Sequence, residues 1–231
     1  MNRWETEPET PVITQLFAAP LMQVQLDLDV EKLTELAFQL QKEYKHEDPN
    51  FLTSWPRRGG WQSNTYQYDT DKAEELINLE EEINQYLQIY QSEVFRGMKF
   101  KENIILSIND MWVNINEKHH YNEWHIHPYS TLSGTYYIKH DSFGENGNIS
   151  FKHPNNLYMS ATHWPPDTGM IEQGNEVTSE VISIIPQPNR LLIFPSWLEH
   201  KAEMNLKDDT RISLSFNTQP TLDKTKWHER K

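Results

Sequence analysis

Two stretches near the start of the chain carry apolar residues at helical spacing. In the first, Val30, Leu33, Leu36, Ala37, Leu40 and Tyr44 fall on one face of a 3.6-residue period, and Asp29 stands where an N-cap is wanted. In the second, Ala73, Leu76, Ile77, Ile83, Leu87, Tyr90 and Val94 form a stripe opposite a carboxylate-rich face. That pattern predicts a helix over 71–96, with Asp71 and Glu74 as a capping box and Gly97 as its stop. Glu80-Glu81-Glu82 reads as a solvated helix face. Upstream, Val12 to Leu28 is rich in β-formers around Pro20 and predicts a strand or two. Residues 47–69, with Pro49, Pro56 and Gly59-Gly60, read as loop.

After Gly97 the period changes. Ile104–Asn116, Trp124–Ile126, Leu132–Lys139, Asn148–Phe151, Val181–Ile185, Arg190–Phe194 and Arg211–Phe216 are short runs rich in β-branched or aromatic residues, separated by turn residues. Helices followed by such strands predict a mainly β fold with flanking α-helices, a sandwich or barrel. The chain reads as a single domain over 1–231. Residues 1–100 supply the N-terminal strand or strands and two supporting helices, and 101–220 the β core. Residues 153–180 hold Pro154, Pro165, Pro166, Gly169 and Gly174 with little periodicity, and a stretch that irregular often lies over a functional site.

Composition narrows the function classes. Eight Trp, ten Tyr and nine Phe in 231 residues argue for a packed core rather than a disordered chain. A formal charge of −13 argues against a nucleic-acid partner, which needs a basic footprint. The absence of cysteine excludes disulfides, thiolate metal sites and a cysteine nucleophile. Met1-Asn2-Arg3-Trp4-Glu5 lacks a signal-peptide pattern, and no apolar run approaches a membrane span. A cytoplasmic protein without a membrane partner is the expectation.

The histidines are clustered: His119, His120, His125 and His127 lie close together among ten. Side chains two apart on a strand share a face, so His125 and His127 could hold one iron, zinc, copper or nickel ion. His200, after Phe194-Pro195-Ser196-Trp197-Leu198-Glu199, is the candidate third ligand. Solvent-exposed or hydrogen-bonded histidines would produce the same H-x-H pattern. Arg211 opens the strand Arg211-Ile212-Ser213-Leu214-Ser215-Phe216, and a guanidinium at the mouth of a roll could clamp a carboxylate with two parallel hydrogen bonds. Two other readings stay open at this point. One is a zinc site of the hydratase or hydrolase type, where the metal lowers the pKa of bound water. The other is a binding or structural module without catalysis.

Four segments taken together narrow the choice. They are Asn122-Glu123-Trp124-His125-Ile126-His127-Pro128, Leu132-Ser133-Gly134-Thr135-Tyr136-Tyr137, Phe194-Pro195-Ser196-Trp197-Leu198-Glu199-His200 and Arg211-Ile212-Ser213-Leu214-Ser215-Phe216-Asn217. The chain resembles the 2-oxoglutarate/Fe(II)-dependent dioxygenases, in particular the 2OG-Fe(II) oxygenases found in phages and bacteria, over 104–217 and more loosely over Leu16-Phe17-Ala18-Ala19-Pro20. The resemblance implies a double-stranded β-helix (jelly roll, cupin-like) as the catalytic core. It implies Fe(II) as cofactor, and 2-oxoglutarate and O2 as co-substrates. The implied reaction hydroxylates a peptidyl side chain or a small metabolite with release of succinate and CO2. A phage origin would place the protein in the host cytoplasm.

Carried over by position, His125 and His200 would bind Fe(II). His127 would stand where most of the superfamily has a carboxylate, completing a three-histidine face. Arg211, helped by Ser213, would pair with the distal carboxylate of 2-oxoglutarate. Tyr137 would donate to that carboxylate, and Asn114 would contact the co-substrate. No catalytic residue beyond the metal ligands is implied. Imidazole in place of carboxylate makes the centre one unit more positive and changes its redox tuning; a non-ligating His127 or a different metal are the other outcomes. Trp112, Trp124, Tyr136 and Trp197 either line a dry cavity or pack the core. The loops 54–62 and 153–180 are candidates to cover the mouth, with Arg57 and Arg58 gripping an anionic or peptide target or forming a solvated turn.

Overall fold

The first helix begins where the pattern places it. The computed structural model describes residues 18–44, 54–63, 65, 73–95, 101, 104–140, 147–155, 175–176 and 178–222. Within it α1 runs Val30–Glu43, and the Asp29 carboxylate accepts a hydrogen bond from the Lys32 N–H at 3.1 Å. That satisfies a first-turn donor that the helix itself leaves unpaired. The second helix, α2 (Glu74–Val94), starts differently from the expectation. Its N-cap is Ala73, with no side-chain cap bond, and Asp71 and Gly97 lie outside the described residues. The buried stripe also shifts by one position. Leu76, Leu79, Ile83, Leu87 and Tyr90 are buried and step by threes and fours, while Ile77 is exposed.

The strands form two antiparallel sheets. The larger has the order β1 (Met22–Gln25), β9 (Arg190–Pro195), β6 (Leu132–Lys139), β11 (Arg211–Leu222), β4 (Ile104–Asn116), β3 (Trp61–Gln62). The smaller has the order β2 (Arg57–Arg58), β5 (Tyr121–His125), β10 (His200–Ala202), β7 (Ile149–Lys152), β8 (Val181–Ile184). This is a jelly roll. The strands carrying His125 and His200 belong to the smaller sheet and the strand carrying Arg211 to the larger, so the histidines and Arg211 come from opposite walls.

Strand alternation sorts the larger sheet into two faces. Val113, Ile115, Ile212, Leu214, Tyr136 and Ile138 belong to the cluster that also holds Leu76, Ile83 and Leu87 of α2 and Leu33 of α1. The helices therefore pack on this side, α2 against β4 and α1 against β6. The intervening positions, Trp112, Asn114, Arg211, Ser213 and Tyr137 among them, face the interior of the roll. A smaller apolar cluster of Ile149, Phe151, Leu192, Phe194 and Leu198 joins the two sheets there. No helix of the described residues is long and apolar enough to cross a membrane.

Three expectations about strands are corrected. Residues 57–58 and 61–62, read as loop, form the edge strands β2 and β3. β5 starts at Tyr121 and ends at His125, so His127 lies beyond the strand. β11 continues six residues past Phe216 to Leu222. Two-residue strands carry no readable period, and every residue of β5 is half-buried, so no alternation marks it.

Candidate active site

The three histidines meet at the end of the smaller sheet. β10 lies between β5 and β7, and its register sets His200 directly opposite His125. Directly paired residues project to the same face, so the rings come together, 4.4 Å between centroids. His127 reaches the same point from the turn after β5, where its N–H donates to the Ser196 carbonyl at 3.0 Å. Its ring lies 5.1 Å from that of His125 and 5.2 Å from that of His200. One ring nitrogen from each lies within 4.8 Å of the others.

The donor chemistry suits a metal ion. The Glu123 carbonyl is 2.7 Å from His125 Nδ1, and the Leu198 carbonyl is 2.8 Å from His200 Nδ1. A carbonyl only accepts, so each Nδ1 carries the proton and each Nε2 keeps its lone pair. Burial pushes the pKa of His125 down, and burial with the neighbouring His125 pushes His127 down to about 4. Burial, then repulsion from His125 and His127, holds His200 well below the usual imidazole range. At neutral pH all three are uncharged, the state a metal needs.

These shifts carry a pH dependence. In the unfolded chain imidazole titrates near about 6.5. Above that pH both states are neutral and nothing is lost. As pH falls through 6.5 the unfolded chain takes up protons that the folded site refuses, so metal-free protein loses stability down to about pH 4, where His127 itself protonates. Thermal unfolding in chelator across this range should show a falling midpoint. His127→Gln, which removes one of the groups, should make the fall shallower.

Opposite the histidines stands Arg211, only 4% exposed. Its Nη1 donates to the Gly147 carbonyl at 2.6 Å and the Glu203 carbonyl at 3.2 Å, and among the described residues no carboxylate pairs with it. Gly147 is required at this approach: its φ is +57° and an added Cβ would lie 2.9 Å from Arg211 Nη1. Ser213 sits between Asn114 on β4 and Tyr137 on β6 in the ladder. Burial pushes the Tyr137 hydroxyl up to about 12, against a smaller opposing effect of Arg211, so it remains a donor. All seven residues singled out in the sequence, His125, His127, His200, Arg211, Ser213, Tyr137 and Asn114, line one cavity. No Asp or Glu is among its described lining.

The comparisons with known proteins bear on this geometry. Residues 110–217 match the family described as "Putative 2OG-Fe(II) oxygenase". Over these residues the chain is similar to the 2-oxoglutarate/Fe(II)-dependent oxygenases. The match and the structural neighbours indicate a 2-oxoglutarate-dependent oxygenase, a class that uses Fe(II), 2-oxoglutarate and O2, and favour it over the zinc hydratase and the non-catalytic module. No curated protein sequence matches the chain. Among solved structures, a Pseudomonas putida prolyl-4-hydroxylase is similar at TM-score 0.53 and 12% identity, over 86% of this chain and 91% of that one. A Trichoplax adhaerens prolyl hydroxylase, in complex with a hypoxia inducible factor oxygen degradation domain peptide fragment, is similar at TM-score 0.55 and 13% identity, over 91% and 87%. HygX from Streptomyces hygroscopicus, with nickel, 2-oxoglutarate and hygromycin B bound, is similar at TM-score 0.52 and 11% identity, over 88% and 84%. At such identities the likeness establishes a shared fold.

Around the cavity the remaining candidate side chains divide, some taking the expected places and others not. Of the four aromatics read as lining or core, Trp112 lines the cavity, its ring 6.0 Å from that of His127. Trp124 instead lies under the Lys152 and Lys201 ammonium groups, 5.3 and 5.0 Å from its ring. Tyr136 packs in the helix-side core and donates to Asn189, and Trp197 is half exposed. Arg57 is bonded to Gln62 and Ser54 of its own loop, and Arg58 pairs with Glu123 of β5, tying the loop to that strand. Most of the 153–180 loop lies outside the described residues. The cavity also includes Asn116, Asn122, Thr135, Ser215 and Phe194, which were not anticipated. Asn116 and Ser215 share the strand parity of Asn114 and Ser213, a signal that could have found them.

Proposed function

We propose that this oxygenase binds Fe(II) through His125, His127 and His200, holds 2-oxoglutarate with Arg211, Ser213 and Tyr137, and hydroxylates a peptidyl side chain or a small metabolite. The observation that carries the reading is the sharing of one cavity by three neutral imidazoles and a buried guanidinium without a carboxylate partner among the described residues. An uncompensated buried charge is costly, so a site that keeps one is built for an anion.

Fe(II) with 2-oxoglutarate supplies the chemistry: one atom of O2 enters a C–H bond as hydroxyl, and the keto acid leaves as succinate and CO2. The chain's own residues orient and shield. The Arg211 fork takes the distal carboxylate, and Tyr137, protonated at working pH, donates to it. Asn114 is held by a 3.0 Å bond from its Nδ2 to Ser215 Oγ, which fixes the wall along which the co-substrate lies. Trp112 and Phe194 keep water from the imidazoles. Beside His125 an open groove, lined by Trp55, Ile126 and Trp197 among others, gives a peptide or metabolite its approach. The similar Trichoplax adhaerens prolyl hydroxylase is in complex with a peptide fragment and HygX has hygromycin B bound, one molecule of each kind.

The experiment is anaerobic addition of Fe(II) and 2-oxoglutarate to metal-free protein. A visible iron-to-ketoacid charge-transfer band is expected, followed by succinate under O2. Incubation with peptide and metabolite mixtures should then yield a product heavier by one oxygen atom. The absence of both band and succinate would refute the proposal.

A further inference from the structure

Trp55 is 60% exposed, and a large ring left so open is not there to fill a core. It meets His125 instead, with the ring centroids 6.3 Å apart and the planes at 85°. Trp55 stands at the start of the hairpin that links the two sheets. Arg57 and Arg58 pair with Asn122 and Tyr121 of β5, while Trp61 and Gln62 pair with Ile115 and Asn114 of β4. The hairpin also grips residue 123. The Pro56 carbonyl accepts the Glu123 N–H at 2.7 Å, and Arg58 Nη2 lies 2.9 Å from Glu123 Oε1. Glu123 in turn accepts the His125 Nδ1 proton on its carbonyl. Arg57 braces the turn through Gln62 Oε1 at 2.8 Å and Ser54 Oγ at 2.7 Å. At the tip Gly59 has φ +78°, and an added Cβ would lie 2.2 Å from His120 Cδ2, so the hairpin is pressed onto its neighbour.

We infer that the 54–62 hairpin is the positioning device for His125, with Trp55 as its contact residue. The Glu123 carbonyl fixes Nδ1, the Trp55 ring bars rotation on the open side, and Nε2 is left aimed into the cavity. The inference rests on His125 being a metal ligand, and its test separates the two ideas.

Metal-free protein is titrated with Co(II), following affinity and the visible d–d spectrum. From the strength of an edge-to-face aromatic pair, Trp55→Ala should bind Co(II) roughly two- to tenfold more weakly, with shifted bands. Trp55→Phe, which keeps a ring, should recover most of both. Tyr129→Ala removes an aromatic that is 96% exposed near the same end and should change neither. The thermal midpoint of metal-free Trp55→Ala should match the parent, as expected for an exposed residue. Wild-type affinity and spectrum in Trp55→Ala, or an equal loss in Tyr129→Ala, would overturn the positioning role while leaving the metal centre standing. Failure of the parent protein to bind Co(II) would overturn both.

Discussion

Arg211→Ala should nearly abolish 2-oxoglutarate binding while the metal still binds. The guanidinium is buried at the closed end of the cavity, and its Nη1 is committed to the Gly147 and Glu203 carbonyls. Those two bonds set the plane of the fork, which fixes where a carboxylate must lie. Truncating one partner of a buried, hydrogen-bonded charge pair costs about 2–5 kcal/mol, or roughly thirtyfold to several thousandfold in affinity. Anaerobic titration of the Fe(II) form with 2-oxoglutarate, read at the charge-transfer band, measures it. Arg211→Lys should recover only a small part, because an ammonium cannot present two parallel donors. Co(II) affinity should stay close to that of the parent, since Arg211 lies on the opposite wall from the imidazoles. Unchanged 2-oxoglutarate affinity in Arg211→Ala would remove the clamp from the mechanism.

His200→Ala should do the reverse and remove the metal first. His200 is 6% exposed, the most buried of the three, and its ring lies 4.4 and 5.2 Å from the other two. Loss of a partner that merely orients a ligand typically costs ten- to a hundredfold in metal affinity. Loss of a direct donor should exceed that, and equilibrium dialysis against Fe(II) or Co(II) should show at least roughly a hundredfold drop. His200 also packs against Phe194, 4.8 Å between ring centroids, so His200→Gln serves as the companion variant that fills more of the space. Near-parent metal affinity in both variants would show that His200 is a packed core histidine and not a donor.

Much of this site was legible in the sequence, for a physical reason. Its residues sit on long ladders, where parity alone decides which side chains share a face. Arg211 and Ser213 are two apart on β11, and the register then brings Asn114 and Tyr137 alongside without further information. His125 and His200 became neighbours through β10, three residues long, which no local pattern marks but the resemblance anticipated. What was not legible follows from the same logic. The strand argument for His127 reached a suitable place by the wrong route, since the residue lies in a turn held by the Ser196 carbonyl. Arg57 and Arg58 read as either a grip or a solvated turn, because their partners, Gln62 and Glu123, depend on how a two-residue strand docks. The burial of Leu79 in place of Ile77 turned on the rotation of α2 against β4, which tertiary packing sets.

The place of His127 has a consequence of its own. It hangs beyond the last rung of β5, so its identity is decoupled from the architecture that carries the other two imidazoles. Exchanging that donor for a carboxylate slips no register and breaks no ladder. In the proposed centre, the hardness and net charge would thus be set from outside the frame that carries the other two imidazoles.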